Sequence, residues 1–390
     1  MFSEKKLKIV HIAPANSHPE MSIAHSVRSL VGQQADWGHV CKIITVNDQQ
    51  IESYKKDGSI DIHYVPKWFQ VNYRDNQLVV PWRAYHYIHA ILSASKPDII
   101  HIHDPLFLGH AAIRFARKYK IPTIFTYDVP YHEYIHQLPL PRYIAAGITQ
   151  FFIRRFANKL HHIIVPNKEF QYVLRIYEST TQSTVIPYFI DQALFPSERP
   201  AHKKFQCRSI TLLVVSRFLP KKRLEKLIDC FDALSLPAHL IFAGSGYWKG
   251  HLIQYCQQFR FPLLKKISWY DNPSNEQLQS LYQDADLLLS TCVDIEQSKI
   301  IAQAMAHNTP VIGLAYHSKE MIIKNNYNGF LTGYPDQMAH VIESIIKNEK
   351  LFIKLQDGAY ETSLAYDPKI IAQKILNQYY EILHLFKEKM

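Results

Sequence analysis

Arg217 and Lys222 stand five residues apart in Val215-Ser216-Arg217-Phe218-Leu219-Pro220-Lys221-Lys222, directly after an apolar run. Pro220 stiffens this loop, and a helix that follows offers unpaired backbone N–H groups, so two cations here can clamp a diphosphate. A second polar turn, between the apolar runs Leu287-Leu288-Leu289 and Pro310-Val311-Ile312, carries Glu296, Ser298 and Gln303. Ser298 suits a helix N-cap, and Glu296 and Gln303, seven apart, would share a helix face about two turns apart and hold the ends of an extended polar ligand. Gly244-Ser245-Gly246 follows another apolar run and would let backbone approach a nucleotide, a weak signal alone. Asp128, in Thr126-Tyr127-Asp128-Val129, is the catalytic candidate by place, with turn capping as the plainer reading. His101, His103 and Asp104 form an HxHD pattern whose histidines face one way, but no third convergent ligand accompanies them, so no metal is expected.

These residues must be held by elements. Strand-like apolar runs alternate with helical stretches, which implies parallel sheets covered on both faces. The first series is Leu7 to Ala13, a helix near Ile23 to Gln34, Cys41 to Val46, a helix near Tyr85 to Ala94, Ile99 to His103, a helix near Ala111 to Tyr119, and Thr123 to Thr126. After His162 to Val165 and Val185 to Phe195, the polar, Pro-containing stretch Pro196 to Lys204 reads as a linker. A second series follows with Ile210 to Val215, Leu240 to Ala243 and Lys266 to Trp269, and the chain closes on a helical pattern with Ile371, Ile375, Tyr379 and Leu383 on one side. At 390 residues the chain suits two domains, expected over 1–196 and 197–366, with a C-terminal helix over 367–390.

From Tyr134 to Lys168 there is no acidic residue, while Arg142, Arg154, Arg155, Lys159 and Lys168 are interleaved with Tyr143, Ile144, Ile148, Phe151, Phe152 and Phe156. That is the make-up of a basic amphipathic helix able to lie on anionic lipid, or of a core helix whose cations face water. The formal charge of +10 allows anionic lipid, anionic substrate or nucleic acid. No nucleic-acid module signature accompanies it, so no nucleic acid is expected. The cysteines Cys41, Cys207, Cys230, Cys256 and Cys292 are scattered, with no CxxC pair, which fits a reducing compartment. No apolar run approaches the roughly 18 to 20 residues of a spanning helix, and no secretory signal opens the sequence, so a cytoplasmic chain meeting a membrane only from its surface is expected.

Several segments resemble the retaining family-4 glycosyltransferases of the two-domain GT-B fold. VSRFLPKKRLEKLI is similar to that family's G-R-x-x-x-x-K-G segment, LIFAGSG to its strand ending in G-x-G, and AQAMAHNTPVIG to its E-A-M-A-x-G-x-P-V-I. NPSNEQLQSLYQDADLLLSTC resembles the segment before its paired-glutamate helix. The middle region, with TYDVPYHEYIHQLPLPR, VPNKEFQYVL and VIPYFIDQALF, is most similar to 1,2-diacylglycerol 3-glucosyltransferases. The resemblance implies two Rossmann-like α/β domains facing a cleft, with the C-terminal helix crossing back to the first.

It further implies that Arg217 and Lys222 clamp the donor diphosphate, with Gly244, Gly246, Ser298 and Gln303 also on the donor side. Gln303 stands where the family has a ribose-holding glutamate, and Ile295 where it has a sugar-contacting one, with Glu296 or Asp294 beside it. Asp128 aligns with an active-site histidine, Ser22 with a glycine, and Tyr188-Phe189 with an Asn-Gly. Either the donor or acceptor differs from the usual one, or catalysis is impaired. The activity implied is transfer of a hexose, glucose by the resemblance, from a nucleotide-diphosphate sugar of the UDP type to a membrane glycerolipid, with retention and without metal or other cofactor. Asp128 and Glu296 would be catalytic, and Arg142, Phe151, Phe152, Arg154 and Arg155 would face the acceptor or an anionic membrane on its inner side. The alternatives are a polysaccharide or soluble acceptor, or a catalytically weak protein that binds sugar nucleotide or lipid.

Overall fold

The computed structural model describes residues 5–14, 23–47, 54–73, 76–128, 141–204, 209–259, 261, 263–291, 297–314 and 322–388. The chain forms two compact units, Met1–Phe189 with Lys369–Met390, and Ile190–Pro368. In the first unit the elements are β1 (Lys8–Ile12), α1 (Ile23–Asp36), β2 (Val40–Asn47), β3 (Tyr54–Asp57), β4 (Ile60–Tyr73), β5 (Asn76–Pro81), α2 (Ala84–Ser95), β6 (Ile99–Ile102), α3 (Phe107–Tyr119), β7 (Thr123–Thr126), α4 (Arg142–Ala157), β8 (His162–Val165), α5 (Lys168–Ile176) and β9 (Ser183–Val185). The sheet runs β3-β4-β2-β1-β6-β7-β8-β9, with β5 on β4. Its central strands are apolar and buried on both faces, as parallel strands covered by helices require.

One part departs from the expected alternation of strand and helix. β4 pairs in parallel with β2 as far as Asn47↔Pro66, then continues beyond the end of β2 and pairs antiparallel with β5. The sequence between residues 54 and 81 therefore contains a hairpin arm, not a single crossover.

In the second unit the elements are β10 (Ile210–Val215), α6 (Glu225–Ala233), β11 (Ala238–Gly244), α7 (Lys249–Cys256), β12 (Lys265–Asp271), α8 (Asn275–Asp284), β13 (Leu287–Ser290), α9 (Gln297–Ala306), β14 (Val311–Leu314), β15 (Gly329–Thr332), α10 (Pro335–Ile346) and α11 (Glu349–Ser363). The sheet order is β12-β11-β10-β13-β14-β15, all parallel. Apolar clusters fill both faces, Phe218, Leu227, Phe231, Phe242 and Ile342 on one and Leu281, Tyr282, Ile301 and Met305 on the other. Helix α8 begins where it does because Ser274 and Gln277 form a reciprocal capping box.

The stretch expected as a linker is instead bound down on the second unit. Leu194 enters its core, and Asn275 donates to Asp191 at 2.9 Å. The Lys203 ammonium donates to the carbonyl oxygens of Tyr282, Gln283 and Ala285 at the end of α8, at 2.7, 2.9 and 2.5 Å. Those carbonyls have no partner within their own helix, and a cation there also suits the helix dipole. Burial pushes the Lys203 amine down to about 7. Residues 190–196, expected in the first domain, are grouped with the second compact unit.

The chain ends in α12 (Pro368–Glu388), which returns to the first unit. Ile371, Ala372, Ile375 and Tyr379 are buried along one side at helical spacing. Thr184 donates to Gln378 at 2.7 Å, and the Tyr380 hydroxyl donates to the Lys5 carbonyl at 3.0 Å.

Candidate functional site

In the second sheet the strand order reverses between β10 and β13, and a parallel α/β sheet takes its ligand outside the carboxyl ends of the strands at such a point. Arg217 and Lys222 follow β10, and the N-terminus of α9 follows β13, so the sheet brings these groups to one edge. Arg217 is half-buried. Lys222 is 1% exposed, whereas the neighbouring Lys221 is exposed, so the turn Pro220–Lys222 selects one of two adjacent ammonium groups and takes it inward.

Gly244 and Gly246 position this loop. The Ser216 N–H donates to Ala243 O at 3.1 Å, the Phe218 N–H to Ser245 O at 2.6 Å, and the Trp248 N–H to Phe218 O at 3.1 Å, which stitches the loop after β10 to the loop after β11. A Cβ on Gly244 would lie 1.9 Å from Ser216 O, and one on Gly246 would lie 2.3 Å from Phe218 O. Both glycines also have positive φ, 144° and 152°. The backbone they approach is therefore that on either side of Arg217, a role distinct from the direct nucleotide approach expected of them.

Ser298 is the second residue of α9, half-buried in the first turn, and so is not the N-cap. Gln303 is half-buried, and its Oε1 accepts from the Tyr282 hydroxyl at 3.0 Å, which directs the amide NH2 away from Tyr282. Tyr282 itself is buried, and burial pushes its phenol up. Asp294, Ile295 and Glu296 lie outside the described residues, as do Ser22 and the ends of the Tyr134 to Lys168 segment before residue 141. Two further residues of this unit have no signal in the local sequence. One is Tyr282, whose partner is 21 positions away, and the other is Thr291 at the end of β13, whose buried hydroxyl has no hydrogen-bond partner among the described residues.

In the first unit, Asp128 is half-buried two residues beyond β7, after the buried Tyr127. Tyr188 and Phe189 are buried at the end of this unit. His101 and His103 are joined by a third imidazole, His11, which pairs with His101 across β1 and β6. One ligand atom from each lies within 4.8 Å of the others, so the third convergent group thought absent is present. Most of the ring nitrogens are engaged in hydrogen bonds with protein groups. His11 Nε2 meets Gln34 Oε1 at 2.9 Å, His11 Nδ1 meets His103 Nε2 at 3.1 Å, and His101 meets the Tyr379 hydroxyl at 2.5 Å and Thr126 Oγ1 at 2.7 Å. The arrangement is a neutral network: burial holds His11 at about 4 and His101 and His103 well below the ordinary imidazole value. Burial also pushes the Asp104 carboxyl up to about 6.

Helix α4 separates its residues cleanly. Ala145, Thr149, Ile153, Phe156 and Ala157 are buried, while Tyr143, Ile144, Ile148 and Phe151 form an exposed apolar stripe ending at the exposed Arg154 and Arg155. Phe152, expected on that face, is half-buried and stacks on His110 of α3 at 5.3 Å. Arg154 forms an ion pair with Glu178. The Arg142 side chain is outside the described residues. Among the described residues, no helix is long and apolar enough to cross a membrane.

Residues 23–194 match the family model Glycosyltransferase Family 4, and residues 197–362 match Glycosyl transferases group 1. The chain is 26% identical over 344 residues to an alpha-monoglucosyldiacylglycerol synthase of Streptococcus pneumoniae, covering 84% of this chain and 76% of that protein. It is 21% identical over 322 residues to the protein of the same name from Acholeplasma laidlawii, covering 76% and 78%. Its fold is similar to that of the Anabaena protein HepE, solved in complex with UDP, with a TM-score of 0.72 at 14% identity over 96% of this chain and 100% of that one. Two consecutive matches that together span most of the sequence, on two parallel-sheet units with a returning C-terminal helix, lead to one conclusion: the chain belongs to the family-4 glycosyltransferases of the GT-B fold.

Proposed function

We propose that the chain transfers a hexose, glucose, from a UDP-type sugar nucleotide to a hydroxyl of a membrane glycerolipid, with retention at the anomeric carbon. The observation that carries this reading is the pair of cations at the switch point of the second sheet, Arg217 half-buried and Lys222 buried, in a loop that two positive-φ glycines allow to close. Fixed positive charge there stabilises a departing nucleotide diphosphate as charge develops on it, and the first N–H groups of α9 add to it. The two cations do this without a metal. Gln303, its carbonyl taken by Tyr282, offers N–H donors to ribose oxygens, and Glu296, next in sequence to the start of α9, contacts the transferred sugar.

Support for a lipid acceptor comes from the names of the two bacterial relatives and from the apolar stripe of α4 with its terminal arginines. Such a stripe suits peripheral contact with the anionic inner face of a membrane. Support for a UDP donor comes from the nucleotide in the HepE structure.

The test is transfer from UDP-glucose to diacylglycerol in anionic vesicles. Transfer by the wild type that falls by roughly 10² to 10³-fold in Arg217→Ala supports the reading. Equal transfer to soluble glycans without vesicles would replace the lipid acceptor, and nucleotide binding without turnover would make the protein a binding module.

A further inference from the structure

Residues 60–82 hold an exposed aromatic cluster that the transfer chemistry does not use. After Pro66, β4 leaves the carboxyl edge of the first sheet and forms an arm with β5, and the Trp82 N–H closes the base of that arm on Pro66 O at 2.7 Å. The pairing passes from Lys67↔Pro81 to Phe69↔Val80, so Trp68 is the extra residue of a β-bulge. A bulge re-aims its side chain, and here the Trp68 ring meets Phe69 at 5.1 Å and Trp82 at 5.5 Å. This apolar surface is open to solvent: Trp68 is 63% exposed, Phe69 44%, Val71 47% and Trp82 44%.

The sequence around the cluster is predominantly basic. Between Asp61 and Asp98 the sequence has a single acid, Asp75, against Lys67, Arg74, Arg83 and Lys96, and Lys67 and Arg83 are exposed on either side of the rings. Indole rings fringed by cations are the chemistry of the headgroup layer, where Trp settles and Lys or Arg meets anionic lipid. The placement agrees, because the arm rises from the same carboxyl edge as Asp128, the edge to which a lipid hydroxyl would be brought.

We propose that Trp68, Phe69, Val71 and Trp82, with Lys67 and Arg83, form a second interfacial lipid contact, separate from α4, that holds this sheet edge against the bilayer. The proposal rests on the lipid-acceptor reading above. It is tested on the full chain with vesicles of phosphatidylcholine and phosphatidylglycerol, with and without bromine on the acyl chains. The expected result is a blue shift of tryptophan emission on vesicle binding, quenching by the brominated lipid, and partition weakened about tenfold or more in Trp68→Ser/Phe69→Ser at unchanged Tm. Wild type that pellets with vesicles while its emission stays unshifted and unquenched overturns this contact and leaves the lipid reading standing. Wild type that does not pellet overturns both. A solution dimer that the double substitution dissociates also overturns it, by assigning the cluster to a second copy of the chain. Should the variant fail to fold, quenching of the wild type decides.

Discussion

Arg217 owes its position to two glycines, Gly244 at the end of the neighbouring strand and Gly246 in the loop after it. Gly244→Ala would force a residue at φ 144° and set a methyl 1.9 Å from Ser216 O. The strain alone is of order 1–3 kcal/mol, and the loop must move as well. The expected outcome is a lowered Tm together with loss of stabilisation by nucleotide, both read by thermal unfolding with and without UDP. Tyr282→Phe removes the donor to Gln303 Oε1 and lets the amide turn. Its effect should fall on KM for the sugar nucleotide, several-fold upward for a loss of about 1 kcal/mol, with kcat nearly unchanged. At this scale the sequence is legible where chemistry and local context coincide, as at Arg217 and Lys222 beside Pro220. It is not legible where contacts are remote. His11 joins His103 across 92 positions through strand register, and no local pattern announces that.

Helix α12 and the strands beneath it share a neutral imidazole network, which makes the first unit acid-sensitive. His11, His101 and His103 have depressed values in the folded protein, so the unfolded chain binds their protons more readily. Their contribution to stability is complete above the unfolded value near 6.5 and is lost as pH falls toward about 4. Asp104, raised to about 6, works in the opposite direction over its own range, but as one group against three. Urea unfolding should therefore show lower stability at pH 5 than at pH 7.5. A flat profile between 5 and 7.5 would contradict the neutral network. Tyr379→Phe, which deprives His101 of its 2.5 Å partner, should cost about 1–3 kcal/mol at neutral pH in the same measurement. Short strands rich in β-branched and apolar residues, such as Thr123–Thr126, His162–Val165 and Ile210–Val215, could be read directly from sequence. The β4–β5 arm could not, because its aromatic residues face water and break the apolar-in, polar-out alternation that marks a strand.

Across the whole molecule, the sequence conveys two α/β units but not how the segment between them is held. Pro196 to Lys204 has the composition of a linker, yet Lys203 spends its three ammonium protons on the end of α8, a contact that composition cannot show. The family assignment accounts for both units and for the return of α12, and the sheet order brings the proposed donor-side groups, Arg217, Lys222 and the N-terminus of α9, to one sheet edge. That edge is the centre of the account, and nucleotide binding there can be measured apart from any acceptor. At a hundred times its dissociation constant, a ligand adds about 2.7 kcal/mol of stability. The most direct measurement is the Tm of the wild type and of Arg217→Ala over a UDP-glucose titration. The expected result is a saturable rise for the wild type that the variant loses while keeping its ligand-free Tm. An equal rise in both proteins, or no rise in either, would contradict it.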